Sequence, residues 1–200
     1  QTSNSFDNLS SLFQTVLDKE TIFYSEVELG TTAILKDVLA DGFTLTDNTQ
    51  ITVSVVPGSV SEENSNLSPN ELTRDKITWD EEVQEVLTFN YKEAKEGTGN
   101  VIVTGAADQT KMTLTATAEN GEINVTGYNY AAQFIGKDHV GSKLVVTITG
   151  VEAAPGVTTN AATSTNKATS GVYEGPESDA DKDGIPGEIE TPFPVPNTYL

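Results

Sequence analysis

Residues 179–190 read Asp-Ala-Asp-Lys-Asp-Gly-Ile-Pro-Gly-Glu-Ile-Glu. This is the D-x-D-x-D-G-x5-E spacing of a calcium loop. A hard cation such as Ca2+ gathers about six to eight oxygen ligands. Carboxylates at Asp179, Asp181 and Asp183 alternate, so they converge around one turn. Gly184 permits the bend, Ile185 offers its backbone carbonyl, and Glu190 closes the shell with both oxygens. Extracellular loops of this kind bind weakly, with Kd on the order of 10⁻⁴–10⁻³ M. The same residues also suit an acidic hairpin turn at Lys182-Asp183-Gly184, and the sequence leaves both readings open. Pro176, Pro192 and Pro194 flank the run and deny it the paired helices of an EF-hand.

Other signals for chemistry are weak. His139 is the single histidine, in a Gly-Lys-Asp-His-Val-Gly loop with no spacing that suggests a triad. Trp79 precedes Asp80-Glu81-Glu82, which resembles a stacking platform beside a carboxylate pair. Among 30 acidic residues such a coincidence is expected, and Trp79 reads better as a core or strand-edge anchor. No Gly-rich phosphate loop is present. With no cysteine, thiol chemistry, disulfides and Cys/His metal clusters are all excluded. The expectation is a protein that is not an enzyme.

The elements that must position these residues are mostly strands. Residues 5–19 are the exception: Leu9, Leu12, Phe13, Val16 and Leu17 form one apolar helical face, with Asn4, Ser5 and Asp7 as N-cap choices. Beyond them, 22–29, 33–39, 50–56, 85–91, 100–105, 111–118, 122–130 and 143–149 are short runs rich in Val, Ile, Thr, Phe and Tyr. Met112, Leu114 and Ala116 alternate with Thr113, Thr115 and Thr117, and Leu144, Val146 and Ile148 with Val145, Thr147 and Thr149. Period two with one polar face marks antiparallel strands of a half-exposed sheet. Asn120-Gly121 between two such runs signals a tight hairpin. Residues 57–77 read as a long loop, and 153–171 as an extended edge strand or a linker.

A net charge of −19, from 30 acidic and 11 basic residues, makes nucleic acid and anionic membranes poor partners. No apolar run is long enough to span a bilayer as a helix, so membrane insertion is not expected. A chain without cysteines that works outside the cell needs other fasteners: packing, metal ions or another covalent device.

Several motifs resemble, in order, one family. They are Ala33-Ile34-Leu35-Lys36-Asp37-Val38-Leu39 with Phe43-Thr44-Leu45, Val125-Thr126-Gly127-Tyr128-Asn129-Tyr130, and Gly141-Ser142-Lys143-Leu144-Val145-Val146. Thr165-Asn166, Ser170-Gly171-Val172-Tyr173 and Phe193-Pro194-Val195-Pro196 complete the set. Together they are similar to the collagen-adhesin-like (CnaA-type) β-sandwich that follows a von Willebrand A domain in Gram-positive pilus and cell-surface adhesins. The 179–190 run likewise resembles the calcium loops of thrombospondin type 3-like repeats, with Gly187 where those often carry Asp. The adhesin resemblance implies an intramolecular isopeptide bond between Lys36 and Asn166, with Asn160 as the second amide. Such a bond needs a desolvated amine and a protonated acid nearby. Asn129 stands where the family often has that acid, and Glu26, Glu28 and Glu122 are the substitutes on candidate strands.

The expected fold is mainly β: an Ig-like antiparallel sandwich over 23–175. A short N-terminal helix within 1–22 belongs to a preceding domain, and 176–200 is an acidic, Pro-rich tail with the calcium loop. The expected function is a structural or adhesive stalk or pilus-associated segment of a secreted bacterial surface protein, at the cell wall or pilus. Its cofactor would be Ca2+ and its partners neighbouring domains or subunits, with an unknown host ligand. The alternatives are a carbohydrate-binding accessory module of a secreted enzyme, or a polymerising filament subunit.

Overall fold

The computed structural model describes residues 32–67, 76–79, 83–103, 110–129, 142–157, 162–176, 184 and 186–199. The helix expected over 5–19 and the strand expected over 22–29 lie outside them.

The strands follow the apolar runs. They are β1 (Ile34–Val38), β2 (Phe43–Thr44), β3 (Gln50–Val60), β4 (Ile77–Trp79), β5 (Gln84–Asn90), β6 (Glu96–Val103) and β7 (Thr110–Glu119). After the hairpin come β8 (Glu122–Thr126), β9 (Ser142–Thr149), β10 (Glu152–Ala153), β11 (Ala162–Ser164), β12 (Gly171–Tyr173), β13 (Ile189–Pro192) and β14 (Asn197–Tyr199). A six-stranded antiparallel sheet runs β13-β12-β1-β8-β7-β6. A second sheet is built on the long strand β3, flanked by β9, β5 and β4. Small pairs β2–β10 and β11–β14 complete the set.

Both sheets turn their apolar faces to one core. Leu35, Leu114, Ala116, Ile123 and Val125 come from the first; Ile51, Val53, Leu87, Leu144, Val146 and Ile148 come from the second. The sequence alternation is the cause. On β7, Met112, Leu114, Ala116 and Ala118 are buried, while Thr113, Thr115 and Thr117 face outward. On β9, Val145 is buried as well, beside Leu144, Val146 and Ile148. The outer face of the first sheet is threaded by short side-chain bonds: Thr113 donates to Asn100 at 2.8 Å, and Thr98 meets Thr115 at 3.5 Å. Asn120 and Gly121 have φ of 52° and 79°, which gives the β7–β8 hairpin its tight turn.

Two regions depart from expectation. The start of the 57–77 segment continues β3 to Val60 and then forms a 3-10 turn at Glu62–Asn64, rather than a loop throughout. More consequential is the C-terminal region. Residues 189–199 are not a detached tail. β13 pairs with β12, β14 pairs with β11, and Phe193 is buried in the shared core. Pro192, Pro194 and Pro196 hid these strands, because proline interrupts any period-two pattern yet is tolerated at a sheet edge.

Candidate functional site

The region 162–173 carries the most unusual side chains in the fold. It lies between the first and last described strands. β1 pairs with β12 on one side, and β13 pairs with β12 on the other. Around it Asp37, Thr165, Asn166, Ser170 and Glu174 are all buried polar residues. A buried polar group without partners is costly, so their bonds identify what the cluster does.

Thr165 and Asn166 form the first part. Asn166 bridges Leu39 of the first strand, and its amide nitrogen donates to the Pro194 carbonyl at 3.2 Å. Thr165 Oγ1 lies 3.2 Å from the Pro196 carbonyl and 3.1 Å from Asn166 Oδ1. The Thr165 N–H donates to Pro196 O at 3.0 Å. Prolines 194 and 196 have no N–H, so the bonds here run one way, from 165–166 into the C-terminal strand.

Asp37 and Ser170 form the second part. Asp37 is 2% exposed. Burial pushes its carboxyl up from 3.8 to about 6, while hydrogen bonds from Ser170 and from the Val38 backbone pull it part of the way back. Oδ2 has no partner. Ser170 Oγ accepts the Val38 N–H at 2.9 Å and lies 3.3 Å from the Val38 carbonyl. Asp37 is therefore an acid that holds its proton under mildly acidic conditions. Among the described residues Glu174 is the other buried carboxyl, and its Oε1 is 3.4 Å from the Glu188 nitrogen.

Sequence reasoning did not single out Asp37, and burial is what settles its face. Leu35, Asp37 and Leu39 share one parity on β1, and the two leucines mark that parity as the core face. Lys36 falls on the other parity. Its ammonium lies 3.6 Å from Glu122 Oε1 and 4.8 Å from the Tyr173 ring centroid, half-buried on the outer face. The structure therefore gives Lys36 and Asn166 different partners and does not bring the two side chains of the expected cross-link together. The alternation of a strand sends neighbouring side chains to opposite faces, and apolar residues at both parities (Ile34 and Val38 against Leu35 and Leu39) concealed which face Lys36 takes. No described lysine is buried. Glu122 serves as the partner of Lys36 rather than as a buried acid, and the Asn129 N–H contacts Met112 Sδ at 3.1 Å.

Asp179, Asp181, Asp183, Ile185, the side chain of Glu190, Asn160, His139, Tyr130, Glu26 and Glu28 lie outside the described residues. Gly184 is described, with φ of 93°. That conformation suits the bend of a calcium loop and of an acidic turn alike. Trp79 sits on β4 over Ile77 and Gly58, with the Lys143 ammonium 5.6 Å from its ring centroid, as a strand-edge anchor.

Comparison with protein-family models, with curated proteins and with solved structures gives no match.

Proposed function

We propose that this chain is a structural, adhesive segment of a secreted bacterial surface protein, an Ig-like sandwich acting as a stalk or pilus-associated module. The observation that carries the reading is the way the two ends of the fold are held. Strands 34–39 and 189–199 flank the same internal segment, and the joint is sealed by Thr165, Asn166 and Ser170. A chain with no cysteine thereby fastens its first and last described strands with packed polar bonds. The motif order shared with adhesin sandwiches supports the same reading. So does the surface charge of −19, which keeps an exposed protein soluble and disfavours nucleic acid. No helix among the described residues is long and apolar enough to cross a membrane.

In this role the sandwich spaces and presents a neighbouring domain or subunit. Ca2+ at Asp179, Asp181, Asp183, Ile185 and Glu190 would stiffen the connection between β12 and β13, supplying charge neutralisation to four carboxylates. Protease shaving of intact producing cells tests the assignment. Peptides from this chain should be released into the medium, and their recovery only after lysis would overturn it.

A further inference from the structure

We propose that residues 34–40, 162–173 and 189–199 form a shear clamp that carries tension along the chain; this rests on the stalk reading above and specifies how the stalk bears load. Strand direction sets the load path. β1 and β13 are each antiparallel to β12, so they run parallel to one another with β12 between them. The rows are defined by register. Ile34, Tyr173 and Ile189 lie at one end, and Lys36, Gly171 and Pro192 further along. The same arrangement continues past the regular strands. Leu39 bridges Asn166, the Ala40 N–H donates to Thr165 O, and the Phe193 N–H donates to Ser170 O. Beyond that, Ser164, Thr163 and Ala162 pair with Asn197, Thr198 and Tyr199.

The chain therefore reaches the clamp at the Ile34 end and leaves it at the opposite, Tyr199 end. Pulling the flanking chain apart draws β1 and the C-terminal strand in opposite directions along their own axes. Antiparallel ladder bonds lie perpendicular to the strands. Under this load they are strained together and must fail together. Pulling two neighbouring strands from the same end would instead break them one at a time. The side-chain bonds of Thr165 and Asn166 to Pro196 and Pro194 reinforce the stretch where the prolines cannot donate.

The absence of cysteine makes the test clean, since paired cysteine handles can be placed at will in the full 200-residue chain. Thr32, Pro176 and Val195 are exposed positions. Gly175 lies directly against Thr32, so Thr32 and Pro176 sit at the same end of the ladder. Handles at Thr32→Cys and Val195→Cys load the clamp in shear, and handles at Thr32→Cys and Pro176→Cys peel it. Single-molecule force spectroscopy should give a rupture force several-fold higher for the shear pair. Thr165→Val in the shear pair should lower that force while leaving the peeling force unchanged. Equal forces in the two geometries, or a stronger peeling pair, would overturn the clamp. That outcome leaves the surface-segment reading to the cell-shaving result, and an intracellular location would in turn leave the measured mechanical anisotropy standing.

Discussion

Lys36 and Asn166 lie on opposite faces of the six-stranded sheet. Asn166 is opposite Leu39 on the core side and is 1% exposed, whereas Lys36 pairs with Glu122 and stacks on Tyr173 outside. Asn166 is bridged to Leu39, three residues along the chain from Lys36, whose own cross-strand partner is Gly171. An amide bond between them would require Lys36 to turn to the core face, and a slip of β1 that turned it inward would expel Leu35 and Leu39 from the core. The intact mass of the purified chain should accordingly equal that of its sequence. Loss of one ammonia, with a Lys36–Asn166 branched peptide after digestion, is the contrary result.

Asp37 should give the fold a specific pH response. Its carboxyl is raised from 3.8 to about 6, so the folded chain holds this proton more tightly than the unfolded chain does. Stability from this group is complete below about pH 4, falls as pH rises towards 6, and levels off above. The shift corresponds to roughly 3 kcal/mol. Asp37→Asn removes the charge and the titration. In urea unfolding, the variant should gain on the parent between pH 4 and pH 7 by up to about 3 kcal/mol. A constant difference across that window would show that Asp37 is not a buried acid.

Gly127 and Gly156 separate two causes of strain. Both have left-handed backbone, with φ of 88° and 87°. A Cβ on Gly156 would meet nothing within 4 Å, whereas one on Gly127 would fall 2.0 Å from the Thr113 carbonyl. Gly156→Ala should cost about 1–2 kcal/mol, the conformational penalty alone. Gly127→Ala should cost a further ~1–3 kcal/mol, because backbone must move to admit the methyl. Chemical denaturation of the two variants side by side measures the difference.

The two faces of β7 should respond unequally to truncation. Leu114 is fully buried between the sheets. Leu114→Ala should cost about 2–5 kcal/mol. Thr117→Ala, one strand face away, should stay within about 0.5 kcal/mol. Comparable losses at both positions would contradict the assigned register.

Calcium should act on the segment between β12 and β13. Ca2+ at about millimolar concentration should slow limited proteolysis within 177–188 and raise the melting temperature. Asp181→Asn together with Asp183→Asn should abolish both effects. Protection that persists in the double variant would favour an acidic turn without a metal.

Much of the fold is legible because alternation is a local property. The runs at 33–39, 50–56, 85–91, 111–118, 122–130 and 143–149 each overlap a described strand, and Asn120-Gly121 marks its hairpin. Strands of two to four residues, such as β2, β10, β12 and β13, leave too few positions for a period to show.

The sequence by itself determined the antiparallel β character, the lack of disulfides and the acidic surface. These follow from composition and from residues adjacent in the chain. Only the tertiary structure decided that β13 joins the six-stranded sheet and β14 pairs with β11, that Asp37 rather than Lys36 faces the core, and that Thr165, Asn166 and Ser170 seal the joint. Each of those depends on which strands lie side by side. That choice is made by long-range pairing between residues such as Leu39 and Asn166, where no local pattern reaches.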